Sequence, residues 1–193
     1  MIKKKGITLL LFLSCFIIQI NGQSIAIKSN LAADLTTTIN LGTEIGLTPK
    51  TTLDLYANYN PWSLGNHKQF KHFLFQPEYR YWFCERFNRH FVGVHLHGGI
   101  YNAGKMKLPF GLGDDNFRIN RYKGWLAGAG VSYGYHWILN KRWSMEANIG
   151  VGYAYLKYDK YRLCEECKEL KGKETKHYVG PTKLALSIIY MIK

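Results

Sequence analysis

Apolar and polar residues alternate with a period of two over most of this 193-residue chain. Alternation of this kind predicts β-strands, because successive side chains of a strand point to opposite faces. No segment with a helical period competes with it. The pattern recurs in eight segments, which predicts eight antiparallel strands: 25–33, 41–47, 53–59, 73–83, 92–100, 123–138, 145–155 and 184–192.

The clearest segment, 123–138, shows what each face of a strand carries. Its odd positions run from Trp125 to Trp137 through alanine, valine and tyrosine, whereas its even positions are mostly glycine and serine. Aromatic residues therefore bracket a stripe of small aliphatic residues on one face. This is the arrangement of two aromatic girdles around a lipid band, whereas a soluble barrel would need polar residues there.

The connections between the predicted strands alternate in length. Short ones at 48–50, 84–90 and 139–142 alternate with long ones at 60–71, 102–121 and 157–176. Outer-membrane barrels have short periplasmic turns and long outer loops. Only the first connection, 34–40, is short where a long one is expected. We predict an all-β, eight-stranded antiparallel up-and-down transmembrane β-barrel with a side-chain-filled lumen.

The polar face of the predicted strands carries charges that would lie in the lumen. Eight strands leave interior space for side chains only, so a conducting pore is not expected. Buried charges must pair, because an isolated one costs several kcal/mol or more. Glycines on the late strands are expected to make room for Arg80, Trp82 and Tyr101. We predict a lumen network of three cations and four carboxylates: Lys28, Glu44, Asp54, Glu78, Arg80, Glu146 and Lys183.

The N-terminus has the pattern of an export signal. Three lysines at 3–5 precede an apolar run at 7–20 and a small or polar stretch at 21–23. We predict a signal peptide at 1–22 and one barrel domain at 23–193, located in the cell outer membrane. Lipid modification at Cys15 is an alternative reading of this segment. The net charge of +13 would suit nucleic acid in a cytoplasmic protein, but export favours anionic lipid headgroups or acidic glycans instead.

Several long runs resemble a domain-of-unknown-function family of Gram-negative bacteria. The runs are YNPW (59–62), QPEYRYWFCERF (76–87), FVGVHLHGGIYN (91–102), GWLAGAGVSYGYHWIL (124–139), EANIGVGYAYLKYDKY (146–161) and GPTKLALSIIY (180–190). Members of this family look like small outer-membrane barrels, sometimes encoded near fimbrial or surface-assembly proteins. The resemblance implies a barrel and an envelope address, and it supplies no catalytic residues. It alone implies fimbrial or other surface proteins as partners.

Cysteine and histidine residues are the candidates for chemistry. Cys164 and Cys167 form a CxxC in the last long loop, where we favour a disulfide over a redox or zinc pair, and Cys84 should stay apart from them. His95 and His97 share one strand face, a spacing that can bind metal but that also suits a hydrogen-bonded lumen. We predict no metal and no cofactor.

Three functions remain open from the sequence. The first is a non-enzymatic envelope barrel with a structural or surface-interaction role, contacting outer-membrane lipid and lipopolysaccharide and not nucleic acid. Its contacts would be basic residues of the second long loop: Lys105, Lys107, Arg118, Arg121 and Lys123. The second is a lipid-modifying barrel enzyme using His95 or His97 with a carboxylate and Ser132. The third is a secreted soluble ligand-binding barrel.

Overall fold

A computed structural model of the protein describes residues 24–64, 68–104, 120–162 and 170–192. The predicted signal peptide at 1–22 lies outside the described residues, and so do Cys15, Cys164 and Cys167. Within the described ranges, no helix is both long and apolar enough to cross a membrane.

Nine strands and one short helix make up the described chain. In order they are β1 (Ile25–Asn30), α1 (Leu31–Asp34), β2 (Ile39–Thr48), β3 (Thr51–Asn60), β4 (Ser63–Leu64), β5 (Lys68–Trp82), β6 (Arg89–Gly104), β7 (Asn120–Ile138), β8 (Trp143–Arg162) and β9 (Leu170–Met191).

Eight of these strands close into a ring. Each strand of the ring pairs antiparallel with the next one along the chain, and the two-residue β4 pairs only with β5. The ring closes where β1 pairs with β9, from Ala26 opposite Met191 to Asn30 opposite Ser187. The predicted all-β, up-and-down arrangement of eight antiparallel strands is therefore confirmed.

The two faces of the strands divide as the alternation predicts. On the outside, Val131 and Ile149 are each 56% exposed. On the inside, Glu78 and Glu146 are 0% and 1% exposed. The ring therefore carries an apolar outer surface around an ionic interior, which is the reverse of a soluble globular protein.

The strands extend beyond the segments that the alternation marks. The stretch 157–176 was predicted as a loop, and this is wrong for its described part, because β8 continues to Arg162 and pairs with β9 from Leu170. Charged side chains on both faces hide the strand pattern there. At the start of the chain, residues 31–33 were predicted as strand but begin α1, since the Asn30 side chain accepts a hydrogen bond from the Ala32 amide and caps the helix.

An apolar cluster fills the ring at the end with the short turns. Trp82 and Phe91 are fully buried there, with their ring centroids 4.7 Å apart. Ala26, Phe87 and Ile189 complete the cluster. It closes this end of the interior and forms the floor on which the charged side chains lie.

Candidate functional site

The structure brings all seven predicted lumen residues into one buried network, centred on Arg80. From β5, its guanidinium donates to Glu44 Oε2 at 2.8 Å and to Asp54 Oδ2 at 2.8 Å. It also donates to Glu78 Oε1 at 3.0 Å and to both oxygens of Glu146 at 2.9 and 3.0 Å. A single planar cation therefore ties together carboxylates from β2, β3, β5 and β8, using the fork geometry that only arginine offers.

The two lysines complete the network from the closing strands. Lys28 on β1 forms an ion pair with Glu44 and lies 3.3 Å from Asp54 Oδ1. Lys183 on β9 forms an ion pair with Glu78 and lies 3.5 Å from Asp54 Oδ2. The network therefore crosses the seam where β1 meets β9, so it helps to hold the ring closed.

The charges of the network nearly cancel. Three cations face four carboxylates, and each of these side chains is at most 5% exposed. His136 lies at the edge, with Nδ1 3.9 Å from Glu146 Oε2. Burial at this depth is tolerable only because each charge has a partner of opposite sign.

Glycines on the inner face of the strands make room for this interior. A Cβ at Gly93 would meet Glu78 and Ser132, and one at Gly134 would collide with Phe91. The space was predicted for Arg80, Trp82 and Tyr101, whereas the side chains that lie closest to Gly128, Gly130 and Gly134 are His97, His95 and Phe91. Cross-strand register decides which ring lies over which glycine, and the sequence does not show it.

Several polar partners of the network were not foreseen. Ser132 Oγ donates to Glu78 Oε1 at 2.8 Å, and Asn148 Nδ2 donates to the same oxygen at 3.3 Å. Near the other end, Tyr56 and Asn40 are hydrogen-bonded to each other and both accept from the Asn30 amide. The alternation places these side chains on the inner face, and this was the signal that could have identified them. An uncharged side chain, however, does not need a partner of opposite charge, so its contacts are harder to predict.

His95 and His97 lie inside the ring, where they are 0% and 6% exposed. His95 Nε2 lies 2.9 Å from Thr182 Oγ1, and His97 stacks obliquely beside it with ring centroids 5.6 Å apart. No group of three histidine, cysteine or acidic side chains within the described ranges is arranged to hold a metal ion. Ser132 donates to a carboxylate, so its hydroxyl is engaged with Glu78 and not with a histidine base.

Basic side chains gather on the outer surface toward the long-loop end. Of the predicted contacts, Lys105, Lys107 and Arg118 lie outside the described residues. Strand pairing places Lys123 opposite Asp159, which is opposite Lys173, and it places Lys157 beside Trp125. We call Lys123, Lys157 and Lys173 the basic rim. Two of its members fall in the stretch that was predicted as a loop.

Aromatic residues flank the apolar outer surface at both ends. Trp125 and Tyr155 pack 5.7 Å apart just below the basic rim. Toward the short turns, Trp143 packs 5.0 Å from Tyr190. Along β8 the outward Trp143 and Tyr155 are twelve residues apart, which at about 3.3 Å per residue and a tilt of roughly 40° spans about 30 Å.

The comparison with protein families matches residues 7–192 to a family described as "Protein of unknown function (DUF3575)". The chain belongs to this family. The match covers nearly the whole sequence, and the predicted membership of a domain-of-unknown-function family is confirmed. No curated protein matches the chain, and no solved structure matches it.

Proposed function

We propose that the protein is a non-enzymatic β-barrel of the bacterial outer membrane, which presents its long-loop end to lipopolysaccharide and to surface proteins. The observation that carries the proposal is the inverted polarity of the ring. Its outer surface is apolar between two aromatic layers, and its interior is a closed network of ion pairs.

The outer surface supports a lipid environment. A soluble monomer rarely exposes an apolar patch larger than a few hundred Å². Here outward residues on every long strand are exposed, such as Phe75 at 42%, Val94 at 59%, Ile149 at 56% and Leu184 at 59%. In water this belt would drive aggregation, whereas in a bilayer of matching thickness it is stabilising.

The interior supports a structural role in place of transport or catalysis. Ion pairs fill the middle of the ring, and the apolar cluster around Trp82 fills the end with the short turns. A lipid-modifying enzyme that works by covalent catalysis needs a nucleophile that is accessible to its substrate. The inward Ser132 is 6% exposed and is engaged with Glu78.

The basic rim supports contact with phosphate groups. It stands directly beyond the aromatic layer of Trp125 and Tyr155, which is the height of lipid headgroups if that layer marks the membrane interface. If the long-loop end faces outward, these headgroups are the phosphates of lipopolysaccharide. A fimbrial or other surface protein as partner is a further proposal, drawn from the family resemblance alone.

Fractionation tests the location. Cells expressing the full chain are lysed without detergent, washed with alkaline carbonate and separated on a sucrose gradient. We expect the protein in the outer-membrane fraction, resistant to carbonate and released by detergent. Recovery in the soluble periplasmic fraction would overturn the proposal and favour a secreted soluble barrel.

Comparison of lipid A separates the structural role from the enzymatic one. Mass spectra of lipid A from a deletion strain and from its parent should be identical. A change in acyl pattern that is restored by the gene would contradict the non-enzymatic assignment. In that case, lipid A from the deletion strain complemented with the Ser132→Ala variant would show whether the Ser132 hydroxyl is needed for the change.

A further inference from the structure

The wall of the ring is uneven where it closes. β1 ends at Asn30, which pairs with Ser187 of β9. β9 itself begins at Leu170, so it extends well beyond the end of β1 toward the long-loop end of the ring. On the long-loop side of Ser187, no described strand pairs with this edge of β9, and α1 lies beside it instead. The wall therefore has a side opening between α1 and β9, and we call it the lateral opening.

A cavity of about 280 Å³ lies at the lateral opening. Its lining includes Ala32 and Ala33 of α1 and Leu184 and Ala185 of β9, which border the lateral opening, and we call these four residues its mouth. Its inner wall includes Arg80, which is 1% exposed, whereas Leu184 at the mouth is 59% exposed and points outward. The cavity therefore connects the apolar outer surface of the ring with the polar interior.

The edge of β9 beside the cavity already has hydrogen-bond partners. The Asn30 side chain donates to the Leu184 carbonyl and accepts from the Leu186 amide. The Gln76 side chain donates to the Thr182 carbonyl from the opposite wall. An added β-strand would have to displace these bonds, so the opening does not favour a peptide partner. The lateral opening can exist within a membrane because the backbone groups at its edge are hydrogen-bonded to side chains and are not left unpaired in hydrocarbon.

The lining of the cavity favours an uncharged polar group. The charged side chains at its base are paired with one another, so a charged headgroup would find no free counter-ion there. Neutral hydrogen-bonding groups are available from Asn58, Gln76 and Thr182.

We propose that the lateral opening binds a single-chain amphiphile with an uncharged, hydroxyl-bearing head, taken from the surrounding bilayer. The head occupies the cavity, and the tail passes between α1 and Leu184 into the lipid. The cavity is at the lower end of the sizes that hold small ligands, which suits a headgroup but not a whole lipid. The inference rests on the proposed membrane location, because only a bilayer would supply the ligand at this height.

The test uses the full mature chain in phosphatidylcholine nanodiscs and 1-monocaprin as the probe. Native mass spectrometry measures the fraction of protein released with one bound probe as its concentration is raised. Ala185→Trp and, separately, Ala33→Trp fill the mouth of the cavity. Ala129→Trp is the matched control, because residue 129 is exposed on the outer face of β7. Decanoic acid and lysophosphatidylglycerol serve as charged single-chain competitors.

We expect saturable binding of one 1-monocaprin, at least tenfold weaker in either mouth variant and unchanged in Ala129→Trp. The charged amphiphiles should compete at least tenfold less well. Absence of binding, or equal binding by all variants, would overturn the inference while leaving the proposed membrane location intact. Failure of the unmodified protein to insert into nanodiscs would instead contradict the proposed function, and this inference with it.

Discussion

Arg80 and Glu146 form a two-point ion pair across the inside of the ring. Nη1 and Nη2 of Arg80 lie 2.9 and 3.0 Å from the two carboxylate oxygens of Glu146. Arg80 is on β5 and Glu146 is on β8, so the pair joins strands that do not touch through their backbones. Both side chains are 1% exposed. The ring is therefore held by backbone ladders around its circumference and by ion pairs through its middle.

Removal of Arg80 should destabilise the protein strongly. In Arg80→Met, four buried carboxylates would keep only Lys28 and Lys183 as lysine or arginine partners among the described residues. Breaking a buried ion pair from one side costs about 3–5 kcal/mol. We expect a loss of that size in the free energy of unfolding in urea, measured on protein refolded into detergent micelles. Lys141→Met, at an exposed turn, is the control and should change stability little. Equal stability of the two variants would contradict the network.

The glycines of β6 provide a matched pair of substitutions. A Cβ at Gly93 would lie 2.7 Å from Ser132 Oγ and would collide with Glu78, whereas one at Gly98 would meet nothing closer than 3.9 Å. Overpacking of this kind costs about 1–3 kcal/mol. Gly93→Ala should therefore lower the urea midpoint, and Gly98→Ala should leave it nearly unchanged. If both variants unfold at the same midpoint, the close packing around Glu78 is not as described.

The basic rim should bind lipid phosphate. A triple variant with glutamine at Lys123, Lys157 and Lys173 is compared with one carrying glutamine at Lys50, Lys141 and Arg142 near the short turns. We expect about tenfold or greater loss of binding to diphosphoryl lipid A in the first only, since each lysine near a charged membrane surface contributes about 1 kcal/mol. Binding is followed by surface plasmon resonance on detergent-solubilised protein. Loss in both variants, or in neither, would remove the basic rim as the contact.

Labelling should place the two ends of the ring on opposite sides of the membrane. Cys84 is exposed in the turn between β5 and β6, and Thr175 is exposed at the other end. In a background with serine at 164 and 167, a maleimide too large for porins should label Cys84 only after the outer membrane is permeabilised. Thr175→Cys, with Cys84→Ser, should label in intact cells. The reverse pattern would show that the ring is inserted upside down relative to the proposal.

Sequence alternation predicted the strands and their faces because the period of two assigns every residue to a side. Glu44 and Lys183 could be placed inside for that reason, although 139 positions separate them along the chain. The pairing of charges could not be predicted, since it depends on strand register. The contact between His95 and Thr182 arises where a register shift in the pairing of β8 with β9 makes Thr182 the extra residue of β9, and no feature of the sequence marks that bulge.

The lateral opening was equally invisible in the sequence. The connection at 34–40 was unexpectedly short, and the structure shows why: β1 stops early and α1 turns the chain back at once. The long β9 then extends past β1, because the polar residues at 170–176 pair with β8 as strand. The period of two predicts which residues lie on each face of a strand. It does not predict how far one strand extends past its neighbour, because that depends on the pairing of β1 with β9 in the closed ring.

Depth-dependent quenching shows whether the apolar outer face of the ring meets hydrocarbon. A bimane probe is attached to Val131→Cys or to Thr175→Cys, in a background with serine at 84, 164 and 167, and the protein is inserted into phosphatidylcholine vesicles. We predict strong quenching of the Val131 probe by lipids brominated near the bilayer centre and little by aqueous iodide, with the opposite result at Thr175. Iodide quenching of the Val131 probe without lipid quenching would show that the apolar outer face does not meet hydrocarbon.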